Sequence, residues 1–153
     1  MSFHQLAYYI VFSTKCRQRI IRNDIKQRVY GYASKIIKQQ KGQVIEIGGV
    51  EDHVHILAKL SPVLAIADVV RQTKASTSKH VNTLELVAGK FQWQTGYAVF
   101  SVSHSDVGSV QWYVRNQETH HRKSTFREEF VQLLERHGVE YDSQYLFETE
   151  HSG

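Results

Sequence analysis

Apolar positions along this chain repeat with two different periods, and each change of period marks the boundary of a predicted element. Runs rich in β-branched and aromatic residues predict four strands, at residues 6–15, 43–50, 53–60 and around 96–103. Between the first two strands, apolar side chains recur at helical spacing, at positions 25, 29, 32, 36 and 37. This spacing predicts a helix with Asn23 as a candidate N-cap and Gly42 at its end.

Two further helices are predicted after the third strand. The second helix begins with Ser61 as its cap and Pro62 at the first helical position, where a missing N–H does no harm. The third helix covers residues 106–121 and is entered through Ser105 or Asp106. The fourth strand lies between these two helices, so strands and helices alternate up to this point.

A last helix follows near the C-terminus and completes the predicted order of elements. A capping box from Thr125 to Glu128 opens this helix, and Gly138 ends it. The order β-α-β-β-α-β followed by helices predicts an α+β fold, the ferredoxin-like split βαβ arrangement with an antiparallel sheet and additional C-terminal helices. No linker or low-complexity segment interrupts residues 1–153, which we therefore interpret as a single domain.

The third strand is central in the usual ferredoxin-like order. Its free face must therefore either be covered by a helix or carry function. This strand contains the segment EDHVHILAKL, residues 51–60, in which His53 and His55 flank one valine. Side chains two apart on a strand point to the same face, so both imidazoles are expected to project together.

Composition and cysteine content limit the class of protein. Hydrophobic residues make up 41% of the 153 residues and charged residues 22%, which excludes a disordered chain and a membrane-spanning one. The N-terminal segment lacks the basic start and long apolar stretch of a secretory signal. The single cysteine, Cys16, cannot form an internal disulfide. We therefore expect a cytoplasmic protein without a membrane partner.

Charge is unevenly distributed along the chain. Residues 1–82 contain 13 Lys and Arg against 5 Asp and Glu, a balance of +8, whereas residues 83–153 contain 6 against 10, a balance of −4. For any single basic residue, a solvated helix face is the simplest explanation. Together, these residues make an electrostatic surface for a polyanion plausible.

A third potential ligand and a nucleophile lie in the third predicted helix. Tyr113 and Gln117 are four residues apart and share one helix face, and His121 continues that face by another turn. Spacing alone leaves a structural interpretation open, in which Tyr113 is a core aromatic residue and Gln117 a surface polar residue. A His-x-His triplet alone is likewise weak evidence for a metal site.

The segments DHVHIL and VQWYVRNQETHHRKSTFREEF together make the pattern specific. They resemble the single-tyrosine HUH transposase family, which comprises small transposases of insertion sequences that move as single-stranded DNA and the REP-associated tyrosine transposases. The resemblance extends over nearly the whole chain, including YYIVFSTKCRQRII, RQTKASTSKHVN and FQWQTGYAVFSVS. It depends most on the Tyr-x-x-x-Gln motif that follows the histidine triplet.

The resemblance implies a metal-dependent endonuclease and strand transferase that acts on single-stranded DNA. His53, His55 and Gln117 would bind a divalent metal, Mg²⁺ or Mn²⁺, and Tyr113 would be the nucleophile that forms a 5′-phosphotyrosine intermediate. Three neutral ligands would leave the metal its full charge and open positions for phosphate oxygens. The family also implies a homodimer with composite active sites and a DNA partner that forms hairpins at element ends.

Other contacts can be assigned only tentatively. Asp52 and His121 are candidates for orienting the metal ligands, although Asp52 could equally belong to a turn. The candidate DNA-binding residues are all basic, and simple surface exposure remains open for each: Arg71, Lys74, Lys79, Arg115 and Arg122. Trp93 is either a stacking platform for a base or a core residue.

Two other functions remain compatible with the pattern. A non-catalytic module that binds single-stranded nucleic-acid hairpins would keep the sheet and lose the chemistry. A metal-dependent hydrolase would use water as its nucleophile and would not need Tyr113. Intact Tyr113 and Gln117 count against the non-catalytic module.

Overall fold

The computed structural model describes residues 1–121 and 123–146. The strands are β1 (Ala7–Ser13), β2 (Gln43–Val50), β3 (His53–Lys59) and β4 (Ala98–Val102). The helices are α1 (Asn23–Gln39), α2 (Ile66–Thr83), α3 (Val107–Arg115), α4 (Gln117–His120) and α5 (Phe126–Arg136). Within the described ranges, no helix combines the length and apolar character needed to cross a membrane.

The four strands form one antiparallel sheet in the order β2-β3-β1-β4. This order confirms the predicted α+β, ferredoxin-like arrangement, with β3 in a central position. Central strands have hydrogen-bonded neighbours on both sides, so β3 is a rigid place from which to project side chains.

Helices cover both faces of the sheet, and each face has its own apolar core. On one face, α1 and α2 pack on Ile10, Phe12, Val54 and Ile56. On the other face, α3 and α5 bury a second cluster: Ala7, Tyr9, Val11, Leu57, Ala98, Phe100, Val102, Val114, Phe126, Phe130, Leu133 and Leu134. Side chains alternate along β3, and the alternation places both histidines on this second face. The C-terminal helices therefore cover the strand that carries them.

A glycine on β2 sets how closely α3 approaches the sheet. Gly48 pairs with His55 across the β2–β3 ladder. A Cβ atom placed on Gly48 would lie only 2.2 Å from the backbone carbonyl oxygen of Val114 on α3. Because no side chain separates the two backbones, the helix that carries Tyr113 rests directly on the strand beside His55.

The second helix begins later than the sequence pattern predicts. The Ser61 hydroxyl accepts a hydrogen bond from the N–H of Val63 at 3.2 Å and thereby closes a turn. Helix α2 begins only at Ile66, after Ala65 in an extended conformation. Ser61 and Pro62 therefore belong to the connection, because a serine side chain stabilises a local turn as readily as a helix start.

The third predicted helix is broken at Asn116. Helix α3 ends at Arg115, and a separate short turn of helix, α4, begins at Gln117. The Asn116 side chain donates to the carbonyl oxygen of Trp112 at 2.7 Å, which competes with continued helical bonding. Tyr113 and Gln117 thus lie on either side of a break, and α4 turns Gln117 into the protein, where it is 1% exposed.

The last helix matches its capping prediction. The Thr125 hydroxyl accepts from the N–H of Glu128 at 3.1 Å, and α5 follows from Phe126. Gly138, just beyond the helix, has a φ of 68°, the left-handed conformation that glycine tolerates best. Both ends of the prediction are confirmed.

We expect Gly48→Ala to destabilise the protein by about 1–3 kcal/mol, because the added methyl group forces α3 away from the sheet. Urea unfolding measures this change. Gly31→Ala is the matched control, since a methyl group added to Gly31 on α1 would meet no neighbouring atom of the described residues within 4 Å. That change should stabilise the protein by about 0.5–1 kcal/mol. Equal stability of the two variants would contradict the close approach.

Candidate active site

The histidine pair lies at the centre of the protein. His53 and His55 are both 0% exposed, and their ring centroids are 4.9 Å apart. The Nε2 atoms of both rings are buried and have no hydrogen-bond partner among the described residues. Buried polar atoms are normally satisfied, so two such atoms side by side point to a site for an electropositive group.

Each histidine is oriented through its other ring nitrogen. His53 Nδ1 lies 2.6 Å from a carboxylate oxygen of Asp52, and His55 Nδ1 lies 2.5 Å from the hydroxyl of Tyr9. A carboxylate can only accept, so Nδ1 of His53 carries a proton and its Nε2 has a free lone pair when the ring is neutral. Burial of the His55 ring lowers its pKa to about 4, although the Glu129 charge opposes this. His55 is therefore neutral at pH 7.

Glu129 lies opposite the histidine pair and was not recognised from the sequence. It is on α5 and 1% exposed. One of its carboxylate oxygens, Oε1, lies 3.0 Å from His55 Nε2, 3.5 Å from His53 Nε2 and 3.0 Å from His121 Nε2. Burial raises the pKa of Glu129, but the surrounding imidazoles outweigh this and hold it well below its usual range. The group is therefore a carboxylate.

Tyr113 contacts the same carboxylate through its second oxygen. The Tyr113 hydroxyl donates a hydrogen bond to Glu129 Oε2 and lies 3.0 Å from His120 Nε2. Its ring centroid is 6.2 Å from that of His55 in the same chain. Burial raises the pKa of Tyr113, and the negative charge of Glu129 raises it further, so the hydroxyl remains protonated.

Gln117 and His121 complete the surroundings of the pair. The Gln117 amide nitrogen donates to the carbonyl oxygen of Tyr113 at 3.2 Å, and its buried Oε1 has no hydrogen-bond partner in the described part of the chain. The His121 Nδ1 lies 2.9 Å from the carbonyl oxygen of Ser124, and its ring centroid is 4.5 Å from that of His53. The structure thus brings Tyr113, His53, His55 and Gln117 together in one chain.

These residues have the donor set of a divalent-metal site. The ligand atoms of His53, His55, His121 and Glu129 all lie within 4.8 Å of one another. Imidazole nitrogens and a carboxylate or amide oxygen suit Mn²⁺ and other first-row divalent ions, and the oxygens also suit Mg²⁺. The unpartnered nitrogen atoms of the histidine pair are the observation that makes a metal ion fit.

A cavity of about 910 Å³ opens next to the site. Asp52 and His121 line its inner part. Four basic side chains line the same cavity: Arg17, Arg19, Lys26 and Lys123. Glu118, which pairs with Lys26 at 2.7 Å, is one of the acidic residues in its wall. The cavity volume lies within the range of small-ligand sites in proteins.

Three of the predicted basic residues line a different groove. Arg71, Lys74 and Lys79 lie on α2 and face the segment 90–97 across a groove of about 820 Å³. Burial lowers the pKa of Lys74 to about 8, and its ammonium donates to the carbonyl oxygens of residues 94 and 96. Since α2 covers the face opposite the histidines, this groove is separate from the site.

The groove also contains aromatic side chains and a further lysine. Trp93 is half-buried and packs edge-on against Phe12 and Phe91, with ring centroids 4.8 and 4.9 Å apart. Lys90 and Tyr97 line the same groove and were not selected from the sequence. Trp93 therefore combines a core contact with a position in the groove wall.

Two of the candidate DNA-binding arginines form ion pairs within the protein. The Arg115 guanidinium pairs with Glu46 on β2 at 2.9 Å, which offsets its charge and links α3 to the sheet. Arg71 pairs with Asp68 on its own helix at 2.7 Å. Arg122 lies outside the described residues.

A recognisable signal for Glu129 exists in the sequence. Phe126, Phe130 and Leu133 recur at helical spacing and form the buried face of α5. Glu129 lies three residues after Phe126 and one before Phe130, on that same face. A carboxylate on an apolar helix face is rarely left unpaired, so its position alone indicates a buried polar contact.

Comparisons with a family model and with a curated protein both identify transposases. Residues 2–117 match the family described as IS200-like transposases. The chain is 24% identical over 119 residues to the ISDra2 transposase TnpA of Deinococcus radiodurans, covering 74% of this chain and 85% of that protein.

Two solved structures share the fold. A crystal structure of a protein assigned as a transposase from Deinococcus radiodurans superposes with a TM-score of 0.62 at 22% identity, covering 76% of this chain and 93% of that one. A REP-associated tyrosine transposase bound to a REP hairpin superposes with a TM-score of 0.56 at 11% identity, covering 74% and 70%.

We expect Asp52→Asn to weaken Mn²⁺ binding by about 10–100-fold, because the amide no longer supplies a charged partner that orients His53. Isothermal calorimetry with the purified protein measures the affinity. Glu51→Gln is the matched control, since the neighbouring Glu51 side chain is exposed, and it should bind Mn²⁺ like the unmodified chain. Unchanged affinity in Asp52→Asn would show that Asp52 serves only the turn.

Proposed function

The chain belongs to the IS200-like transposase family, and we propose that it cuts and rejoins single-stranded DNA through a covalent link to Tyr113. The observation that carries this proposal is the position of the Tyr113 hydroxyl. It shares the Glu129 carboxylate with the buried histidine pair of the same chain. A nucleophile and a candidate metal site thus meet within hydrogen-bonding distance of one group.

The covalent step needs a group that accepts the Tyr113 proton and a phosphotyrosine bond that is protected from hydrolysis. In this step the Tyr113 oxygen attacks the phosphorus and the bond from phosphorus to the 3′ oxygen breaks. The products are a 5′-phosphotyrosine and a free 3′ hydroxyl. His120 Nε2, 3.0 Å from the Tyr113 hydroxyl, can take its proton, while the Glu129 carboxylate holds the hydroxyl in place. Attack by a 3′ hydroxyl on the phosphotyrosine reverses the step without a nucleotide cofactor.

A divalent metal, Mg²⁺ or Mn²⁺, would be held by His53 and His55. Gln117 is the oxygen ligand that the resemblance implies, and its unpartnered buried amide oxygen is compatible with that role. When bound, the ion polarises the scissile phosphate and neutralises developing charge. The Tyr9 and Asp52 contacts keep both imidazoles oriented for it.

The two cavities lie on opposite faces of the sheet, and each would bind a different part of the DNA. The cavity beside Asp52 and His121 would admit the strand that is cut, and its basic residues would contact phosphates. The groove between α2 and residues 90–97 combines lysines with Trp93 and Tyr97, the pairing that single-stranded nucleic acid requires. Since a structural relative is bound to a REP hairpin, we propose a DNA hairpin as the ligand of this groove.

The composite site of a homodimer is a separate proposal. The sequence resemblance implies a tyrosine that serves the histidines of a partner chain. In this structure Tyr113 already reaches the histidines of its own chain, so a single chain brings nucleophile and ligands together. A dimer would then serve to bring two DNA ends together or to exchange the tyrosine helices.

We expect a labelled hairpin oligonucleotide with a single-stranded flank to form a covalent protein adduct in the presence of Mn²⁺. Tyr113→Phe should abolish the adduct, because phenylalanine has no oxygen to attack phosphorus. Denaturing electrophoresis separates the adduct from free DNA.

Tyr30→Phe is the matched control for this experiment. The Tyr30 hydroxyl is buried on α1 without a hydrogen-bond partner in the residues described, so its loss should leave adduct formation unchanged. Binding without any adduct in the unmodified chain would support the non-catalytic hairpin-binding module. Cleavage that survives Tyr113→Phe would support a hydrolase that uses water.

We expect Lys79→Ala combined with Lys90→Ala to weaken binding of the hairpin and to lower its dependence on salt. Each lost phosphate contact should reduce the slope of log K against log salt by about 1. Fluorescence anisotropy at several salt concentrations gives this slope. Lys38→Ala, an exposed lysine on α1 that does not line the groove, should leave the slope unchanged. An unaltered slope in the double variant would exclude the groove as the hairpin site.

A further inference from the structure

Three imidazole rings converge on one oxygen of Glu129. His121 Nδ1 lies 2.9 Å from the Ser124 carbonyl oxygen, which can only accept, so Nδ1 carries the proton. Its Nε2 then faces Glu129 Oε1, 3.0 Å away. A cation between these two atoms, either a proton or a metal ion, stabilises the contact.

The His53 ring is oriented in the same way as the His121 ring. Its Nδ1 donates to Asp52, so its Nε2 faces Glu129 Oε1, 3.5 Å away. His55 Nε2 lies 3.0 Å from the same oxygen without forming a hydrogen bond. Three imidazole nitrogens thus surround one carboxylate oxygen, and two of them have no hydrogen-bond partner among the described residues.

The distances fit one shared ion. Ligands about 2.1 Å from a metal lie about 3.0–3.4 Å apart in octahedral or tetrahedral geometry. The three distances from Glu129 Oε1 to the imidazole nitrogens, 3.0, 3.0 and 3.5 Å, fall close to this range. The ion would therefore be shared by the carboxylate and the rings.

We propose that Glu129 and His121 join His53 and His55 as ligands of the metal site, and that the second oxygen of Glu129 positions the Tyr113 hydroxyl. One carboxylate then connects the metal site to the nucleophile. This inference rests on the proposed function for the role of Tyr113, whereas the metal ligands can be tested without any DNA.

The two oxygens of Glu129 have different tasks in this arrangement. Oε1 faces His53, His55 and His121. Oε2 accepts from Tyr113 and lies 3.1 Å from His120 Nε2. Glu129 therefore acts on the reaction in two separable ways, through metal affinity and through the position of the tyrosine.

The first experiment measures Mn²⁺ affinity by calorimetry in the full chain. Glu129→Gln and His121→Ala should each weaken binding by at least about 10-fold. Glu128→Gln is the matched control, because Glu128 is exposed and glutamine also serves in a capping box. Affinity in Glu129→Gln equal to that of Glu128→Gln would overturn the proposal.

A measurement on the unmodified chain gives a result that does not depend on whether the variants fold. Pulsed electron paramagnetic resonance of the Mn²⁺ form should detect nitrogen couplings from three imidazoles. Couplings from only two imidazoles would exclude His121 as a ligand. Circular dichroism of each variant confirms that its fold is retained before its affinity is interpreted.

The positioning role predicts a further difference at saturating Mn²⁺. His121→Ala should recover adduct formation to within about 10-fold of the unmodified rate, because Tyr113 keeps its partner. Glu129→Gln should remain about 100-fold slower, because the hydroxyl has lost the carboxylate that holds it. Equal recovery of both variants would overturn the positioning role. Absence of any adduct in the unmodified chain would instead contradict the proposed function and leave the metal result standing.

Discussion

One buried carboxylate holds the functional part of this protein together. Glu129 is 1% exposed, and a charge in such a place is tolerated only when it is fully paired. Its partners come from separate segments: the histidines of β3, Tyr113 of α3, and His120 and His121 around the end of α4. Removing one partner from a buried charge typically costs about 3–5 kcal/mol, so these segments are stabilised in one arrangement.

The sheet supplies the fixed side of this arrangement. In a four-stranded ferredoxin-like fold, the α1 and α2 pair covers one face and leaves the other open. Here α3 and α5 cover that second face with an apolar core, and both histidines beneath it are 0% exposed. Gly48 lets α3 rest on β2 beside His55, so the tyrosine is held close to the strand by backbone packing. The candidate site thus depends on elements that lie outside the β-α-β-β-α-β unit itself.

Local patterns predicted a large part of this structure for clear physical reasons. Strand β2 has the predicted bounds, 43–50, because apolar residues and flanking polar turns mark a strand directly. Thr125 caps α5 as predicted, since a capping box involves only residues three apart. The predicted start of the second helix at Ser61 and the predicted continuous helix over residues 106–121 were wrong, because a single side-chain contact to a nearby backbone group decided each of them.

The sequence by itself determined the order of elements, the fold class and the pairing of His53 with His55 on one face, because each follows from periodicity and near neighbours. Only the tertiary structure decided that Glu129 meets these histidines and Tyr113 within one chain, and that the basic residues of α2 line a groove on the opposite face. Glu129 is 74 residues from His55 along the chain, and no local pattern specifies contacts over such a separation. Those contacts arise where helices from distant segments are packed against the same strand.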